Sequence, residues 1–322
     1  VSIVSILGSR ALIAKIDLVE EQPVHAAVDL HLPNADKVLP AILLLLLSVV
    51  VSKAAEPKLE TLRAWNDYIG TVKTIVAERN AGSRPFLWVD ESSSVTRRRA
   101  QDGELVITDH DPRKVPQGLI HHWVGVMFIP STSLDQVMRV LNGYDRYGDI
   151  YKPLIRKASV IEEDGDTVKL NVIAAQKAFS VTGAVDTDEE IRIVRPAPDR
   201  VCITANSVRM REIANYGQPG EHAFPEDRRP GFVWGALIVQ RLEVRDGGVY
   251  VELETISLSR GIPVEVRWLI KPLTDDLPRK MMKDILEETR TAVRQEIELS
   301  RGGNAGLTRD LQLMSVPRVS LP

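Results

Sequence analysis

The chain has 322 residues, of which 44% are hydrophobic and 26% are charged, with a formal net charge of −3 at pH 7. This composition is typical of a globular protein with one large or two small domains, and it lacks the overall basic character of a nucleic-acid-binding protein. Cys202 is the only cysteine, so no intrachain disulfide can form. A single cysteine usually indicates a reducing compartment, but it is also compatible with export.

The first predicted element is the apolar run at residues 38–54, VLPAILLLLLSVVVSKA. Its apolar core is too short for a comfortable membrane span of roughly 20 residues. Ser52 and Ala54 match the −3 and −1 positions of a small-residue cleavage site. The run therefore predicts a signal peptide or membrane anchor of an exported protein, which is periplasmic, secreted or membrane-anchored. A buried core helix is the alternative interpretation.

Residues 1–37 are an uncertain N-terminal extension. A signal peptide usually begins a few residues before its apolar core and carries a basic stretch there. Here Lys37 is the only nearby cation, beside Asp36, and the chain begins with Val1. The hypothesis is that these residues largely reflect a start assigned too far upstream.

Residues 55–120 are predicted to hold one helix and an irregular connection. Residues 89–118 are polar, include the triple arginine at 97–99, and indicate a loop with at most one short strand near residues 104–108. The arginines could contact anionic headgroups, although a solvated loop is the simpler interpretation. The helix is predicted because apolar residues recur every three or four positions: Leu62, Trp65, Tyr68, Val72, Ile75 and Val76.

Residues 121–300 are predicted to form one domain. An apolar strand ends at Pro130, and Ser131 or Thr132 can cap the following helix, which Gly143 closes. Five β-rich runs come next, separated by the turn sequences EDGD, DTDEE and PAPD. The following segment, 212–231, is rich in proline, glycine and charge, which is typical of a lid or binding loop.

The last part of this domain is predicted to be a hairpin and a long helix. Two strands, at residues 232–244 and 249–258, are joined by RDGG. The helix spans about residues 278–299, RGGNAG ends it, and residues 301–322 form a flexible tail. Its apolar side consists of Met282, Ile285, Leu286, Val293 and Ile297.

This order of elements resembles the START-like, helix-grip superfamily, which includes lipid-transfer domains and polyketide cyclases. The resemblance covers residues 123–299 and is carried by IPSTSLDQVMRVLNGYDRYGDIYKPLI and the terminal helix. The segment GFVWGALIVQRLEVRDGGVYVELETISLSRGIP looks like an uncharacterised bacterial branch. The resemblance implies an α+β fold in which a curved antiparallel sheet wraps around the long C-terminal helix. It also implies a cavity between them that suits one hydrophobic ligand.

The predicted hairpin carries the most informative polar residues. Strand alternation places Arg241 opposite Glu252 and Val239 opposite Glu254, all on one charged face. If that face is exposed to solvent, the pairs are cross-strand ion pairs worth roughly 0.2–1 kcal/mol each. If it lines the cavity, Arg241 and Glu252 would bind a ligand headgroup or a water cluster. The sequence leaves both possibilities open.

The resemblance implies further residues around the cavity. Tyr144, Tyr147 and Tyr151 could rim its entrance or could simply pack at a helix end. Arg260 and Trp268 could close one end. The predicted ligand-binding residues are Trp123, Tyr147, Tyr151, Trp234, Arg241, Glu252, Glu254, Arg260 and Trp268.

No sequence motif indicates catalysis, a metal site or a cofactor. Motifs for zinc, phosphate or dinucleotide binding and for a nucleophile elbow are missing from the sequence, and neighbouring His121 and His122 face opposite sides of a strand. The leading hypothesis is a carrier or binder of a lipid-like molecule, without enzymatic activity, and with possible membrane association through residues 38–54. One alternative is a cyclase or hydrolase that uses Glu252, Glu254 or a tyrosine as its acid–base group. The other is a protein-interaction module with a collapsed cavity.

Overall fold

The computed structural model describes residues 56–178, 181–225, 233–261 and 277–313, with side chains except at 177–178, 181–182, 277 and 300–313. The predictions for residues 1–54 and for Trp268 lie outside the described residues. In the part of the chain that is described, no helix has both the length and the apolar character needed to cross a bilayer.

The chain forms an α+β fold around one antiparallel sheet. Nine strands are described, in the order β1-β2-β9-β8-β6-β5-β4-β3, with β7 paired to β6. Most pairs join strands that are consecutive along the chain. The two exceptions are β2 with β9 and β6 with β8. The strands are β1 (Val106–Val115), β2 (Gly118–Pro130), β3 (Ile155–Asp164), β4 (Thr167–Ala178), β5 (Val181–Ala197), β6 (Arg200–Ala214), β7 (His222–Ala223), β8 (Val233–Arg245) and β9 (Gly248–Arg260).

Five α-helices and two short 3-10 turns accompany the described strands. A capping box begins the third helix, because the Ser133 hydroxyl accepts from the Gln136 N–H and the Gln136 side chain accepts from the Ser133 N–H. The cap is therefore Ser133, and the sequence prediction of Ser131 or Thr132 was wrong. The helices are α1 (Leu59–Asn80), α2 (Ser94–Gln101), α3 (Leu134–Leu141), α4 (Tyr147–Ile150) and α5 (Leu277–Leu313), and the turns are Trp88–Asp90 and Tyr144–Arg146.

The long helix α5 packs directly on the sheet at Gly125 in β2. A Cβ atom at that glycine would lie 2.7 Å from Met282 Sδ and 2.8 Å from Leu286 Cδ1, so the close approach requires a residue without a side chain. Buried residues of α3, α5 and the strands form one apolar core on this side, including Val137, Leu170 and Val293. We call this side of the sheet the inner face. The predicted helix-grip architecture is confirmed.

The N-terminal segment covers the opposite side of the sheet, which we call the outer face. A second core joins Val72 of α1 and Leu87, just before the Trp88–Asp90 turn, to Leu237 of β8 and Ile256 of β9. Sheets covered on both faces have strands that are buried along nearly their whole length, as β9 is. The sheet is therefore the middle layer of three.

Several sequence predictions need correction. The segment 89–118 is more regular than predicted, because it contains α2 and because the strand predicted near residues 104–108 is the longer edge strand β1, whose side chains are mostly exposed. A domain boundary at residue 121 would cut β2 in two. The sequence DTDEE is not a turn but part of β5. RGGNAG does not end the last helix, since the backbone of α5 continues as a helix to Leu313.

Candidate functional site

The predicted pair of Arg241 and Glu252 exists, and these two are the most buried ionic groups in the described hairpin. Register places Arg241 opposite Glu252 and Val239 opposite Glu254. Asp246 and Gly247, both with positive φ, form the turn between the strands. Arg241 Nη1 donates to Glu252 at 2.9 Å and Nη2 donates to Glu254 at 2.6 Å. One guanidinium thus bridges two carboxylates.

The N-terminal segment completes the coordination of Glu252. The backbone N–H groups of Trp88 and Val89 donate to its two carboxylate oxygens at 3.0 and 3.2 Å. Burial raises the pKa of Glu252, while the Arg241 charge and the Trp88 N–H oppose that rise. A carboxylate with three donors has the partners that a buried charge requires.

A histidine and a tyrosine extend this network toward α1. His122 Nε2 lies 2.7 Å from Glu254 Oε1, and His122 Nδ1 lies 2.8 Å from the Tyr68 hydroxyl. Burial opposes ionisation of Glu254, but the His122 hydrogen bond and the Arg241 charge outweigh it and lower its pKa to about 2. Burial, followed by the Glu254 charge, raises the pKa of Tyr68. Sequence reasoning missed this extension because it gave no partner to either His122 or Tyr68.

Both sequence interpretations of the charged face were wrong. The face is not solvent-exposed, since Arg241 is 1% and Glu252 0% exposed. It does not line the space under α5 either, because the same strand faces carry the outer core residues Val239 and Ile256. Alternation predicts which side chains share a face, but it does not predict which layer covers that face.

The other predicted site residues divide between the two faces. Trp234 belongs to the outer core, so it does not join the inner-face residues. Trp123 is half-buried and packs against the inner core. Arg260 is the half-buried last residue of β9. Trp268 lies outside the described residues.

Tyr147 and Tyr151 lie on the inner side of the sheet, next to α5. Their rings meet edge to face with centroids 5.0 Å apart. The Tyr151 hydroxyl lies 3.1 Å from Thr289 Oγ1 in α5, and the Tyr147 hydroxyl donates to the Leu141 carbonyl at 2.5 Å. Burial raises the pKa of Tyr151 to about 12 and that of Tyr147 well above its ordinary value. Both phenols therefore stay protonated at neutral pH.

A small cavity opens where α4 and the start of β3 meet α5. Its volume is about 20 Å³, enough for a water molecule but not for a lipid-like ligand. It is lined by Tyr151, Lys152, Pro153, Leu154, Gln176, Lys280, Asp284, Ile285 and Glu288.

One part of the inner face, in β8 and its two neighbours, is less buried than the rest of that face. Along β8, half-buried Ile238 and Gln240 alternate with fully buried Leu237, Val239 and Arg241. In β9 only Thr255 and Ser257 of the inner face are half-buried, and register places the half-buried residues of neighbouring strands side by side. We call this set the inner-face patch: Ala205, Ala236, Ile238, Gln240, Thr255 and Ser257.

Glu189 in β5 is an inner-face residue that sequence reasoning missed. It lies opposite Leu170 of the inner core on one side and opposite Ser207 on the other. Burial raises its pKa to about 7. The sequence does contain a pattern that predicts this position, because alternate residues here form one face of a strand: Val185, Thr187, Glu189, Ile191 and Ile193.

Among the described residues, no group of three or more His, Cys, Asp or Glu side chains is arranged to hold a metal ion. No protein-family model matches the sequence, and no curated protein is significantly similar to it.

Solved structures with a similar arrangement include lipid-transfer and cyclase proteins. The Zhui aromatase/cyclase from Streptomyces sp. R1128 has a TM-score of 0.40 and 12% identity, covering 55% of this chain and 96% of its own. The STAR-related lipid transfer protein from Xanthomonas axonopodis has a TM-score of 0.39 and 13% identity, covering 59% and 98%. Human STARD10 has a TM-score of 0.39 and 11% identity, covering 70% and 89%. These TM-scores are too low for the similarity to indicate a ligand or a reaction. The bacterial origin remains a prediction.

Proposed function

We propose that the chain binds a hydrophobic small molecule on the inner-face patch, between the central strands and α5. One observation carries the proposal: along β8 the inner side chains Ile238 and Gln240 keep part of their exposure, whereas their outer neighbours are fully buried. A closed core would bury both sets equally, because protein interiors are close-packed. Partly exposed apolar groups on the inner face provide a surface that a ligand can desolvate.

The composition of the patch supports a ligand that is mainly apolar. Ala205, Ala236 and Ile238 supply apolar surface, and each Å² removed from water contributes roughly 25 cal/mol. Gln240, Thr255 and Ser257 add a few hydrogen-bonding groups, as is usual in small-molecule sites.

The enzyme alternative loses its two glutamate candidates, and the hydroxyls of its tyrosine candidates, Tyr147 and Tyr151, already contact Leu141 and Thr289. Glu252 and Glu254 lie on the outer face beneath the N-terminal segment, so they cannot act on a ligand at the inner face. Glu189 is the carboxylate on the inner side of β5, but no second catalytic group is arranged with it among the described residues. Binding without chemistry is therefore the function that the geometry supports better.

The proposal is tested by extraction and by direct binding. The purified protein is extracted with organic solvent for mass spectrometry, and the binding of Nile red, a neutral hydrophobic dye, is measured by fluorescence. Ile238→Trp should fill the patch and weaken Nile red binding about tenfold or more, because the larger side chain occupies the space that the dye needs. Val208→Trp is the matched control, because Val208 is a β-strand valine that is 56% exposed. An empty extract together with no dye binding, or equal binding by both variants, would overturn the proposal.

A further inference from the structure

The two edges of the described sheet, β1 and β3, differ in how they are protected. Edge strands expose backbone groups that pair readily with another strand, and proteins guard them with charged side chains, proline or bulges. The edge strand β1 contains Pro112, a register shift between His110 and Arg113, and mostly exposed side chains that include four charged ones. The edge strand β3 contains no proline, and its centre has the sequence Ala-Ser-Val-Ile at residues 158–161.

The centre of β3 exposes apolar surface. Val160 is 47% and Ile161 is 57% exposed. Within the described ranges, this is the one place where two consecutive large hydrophobic residues are both exposed. Because a lone edge strand with exposed apolar residues favours pairing, this surface is suited to a second strand.

The backbone along this edge is available to a partner strand. β3 pairs with β4 on one side, and the described backbone hydrogen bonds outside that ladder include none made by residues 157–163. The ladder shifts register between Ile155 and Lys157 and again between Val160 and Glu162, so residues 157–160 form its regular stretch. The helix α4 adjoins the beginning of the strand, where Gly148 lies beside the Arg156 carbonyl. The regular stretch and the residues after it therefore form the open part of the edge.

The charges of β3 indicate which strand fits beside it. Exposed Arg156 and Lys157 precede the apolar centre, and exposed Glu162, Glu163 and Asp164 follow it. A second β3 in parallel orientation would place like charges side by side. A second β3 in antiparallel orientation places the cationic end of each copy beside the acidic end of the other, and opposite charges across two strands stabilise their pairing.

We infer that β3 pairs antiparallel with the β3 of a second copy of this chain, which joins the two sheets into one. A twofold interface brings the same patch of both subunits together, so the patch must be complementary to itself. A strand with opposite charges at its two ends and an apolar centre meets that requirement. One strand from each copy buries less than a standard interface of about 1,600 Å², so the dimer should be weak, with a dissociation constant on the order of micromolar. The inference does not depend on the proposed ligand site.

Reversing the charges at the two ends of the strand tests this pairing. Sedimentation velocity of the full chain from roughly 1 to 100 μM should show a monomer–dimer equilibrium. The double variants Arg156→Glu/Lys157→Glu and Glu162→Lys/Glu163→Lys should each weaken dimerisation about tenfold or more, because like charges then face each other. An equimolar mixture of the two variants should dimerise again, since their charges are complementary. Glu162 also pairs with Lys169 of its own chain, but that pair is exposed and contributes little to folding.

The control for the charge reversals is Asp111→Lys/Lys114→Glu, which makes the same kind of change on the other edge strand, β1. This variant should dimerise like the unmodified chain. Ile161→Lys should abolish dimerisation through the apolar centre, whereas Val208→Lys should not, because Val208 is equally exposed but lies in the inner strand β6.

Circular dichroism establishes that each variant is folded, and Ile161→Lys decides the question if a charge reversal unfolds the chain. The inference is wrong if the unmodified chain stays monomeric at every concentration. It is also wrong if the dimer survives both charge reversals, if the mixture of the two variants stays monomeric, or if Ile161→Lys dimerises as well as Val208→Lys.

Discussion

Arg241 and Glu252 form an ion pair of 2.9 Å in which neither side chain is more than 1% exposed. The pair belongs to one hairpin, yet N–H groups from a segment more than 160 positions earlier complete the coordination of the carboxylate. The charged cluster therefore joins two parts of the chain that are far apart in sequence. It stabilises the docking of the N-terminal segment as well as the hairpin.

Removing one partner of this pair should be strongly destabilising. Glu252→Gln leaves the Arg241 charge buried with one carboxylate fewer, and breaking a buried pair typically costs about 3–5 kcal/mol of unfolding free energy. Glu162→Gln is the control, because the Lys169–Glu162 pair is exposed and should contribute little. Urea denaturation monitored by circular dichroism measures both. Similar midpoints for the two variants would contradict the role given to the buried cluster.

The N-terminal segment should unfold together with the sheet. Leu87 is fully buried in the outer core, so Leu87→Ala should lower the unfolding free energy by about 2–5 kcal/mol. Leu59 begins the same segment but is 63% exposed, and Leu59→Ala should change stability little. If Leu87→Ala left the main unfolding transition unchanged, the segment would be an independent unit.

The close approach of α5 to β2 should be sensitive to a single methyl group. Gly125→Ala places a Cβ within 2.8 Å of Met282 Sδ and Leu286 Cδ1, and overpacking of this kind costs about 1–3 kcal/mol. Gly183→Ala is the control, because nothing lies within 4 Å of its Cβ position and the substitution reduces the entropy of the unfolded chain. Thermal unfolding of the two variants should therefore shift in opposite directions. Equal shifts would show that the helix does not press on the strand.

Glu189 should make stability fall as pH rises toward neutrality. Its pKa in the folded protein is about 7, so between the ordinary glutamate value and this one the folded state holds a proton that the unfolded state has released. Unfolding free energy therefore decreases with pH over that interval, by up to about 3 kcal/mol. Glu189→Gln should abolish this decrease, whereas Glu190→Gln should retain it. Parallel pH profiles for the two variants would refute the assignment.

Glu254 should make the free energy of unfolding fall as pH is lowered, which is the opposite direction to the effect of Glu189. Its pKa is lowered to about 2, so its stabilising contribution is complete above the ordinary glutamate value and is lost as pH falls toward 2. The His122 hydrogen bond is among the causes, so His122→Gln should bring the acid transition to a higher pH. Acid titration followed by tryptophan fluorescence measures the midpoint. A midpoint identical to that of the unmodified chain would argue against the coupling.

The sequence was sufficient to predict the hairpin in detail. Its turn residues Asp246 and Gly247 and the alternation around Arg241 led to the register that the structure has. Those features are local, because a two-residue turn fixes which positions face each other. The long helix was predicted for a similar reason, since its apolar stripe has helical periodicity.

The location of the site could not be predicted in the same way. Whether Arg241 faces α5 or α1 depends on which helix packs on which side of the sheet, and that is a long-range property. The polar composition of β1 concealed an edge strand, since such strands bury few side chains. Glu189 was hidden by its neighbours, because the run DTDEE has the composition of a turn although it continues a strand.

The hydrogen bond from Trp88 to Glu252 spans 164 positions and has a consequence for synthesis of the chain. Translation proceeds from the N-terminus, so α1 and the Trp88–Asp90 turn leave the ribosome long before β8 and β9 exist. Until then the apolar side of α1 has no sheet to cover, and contacts of such sequence separation form slowly. A nascent chain halted before residue 252 should therefore display this helix to chaperones, and release should follow completion of the final hairpin.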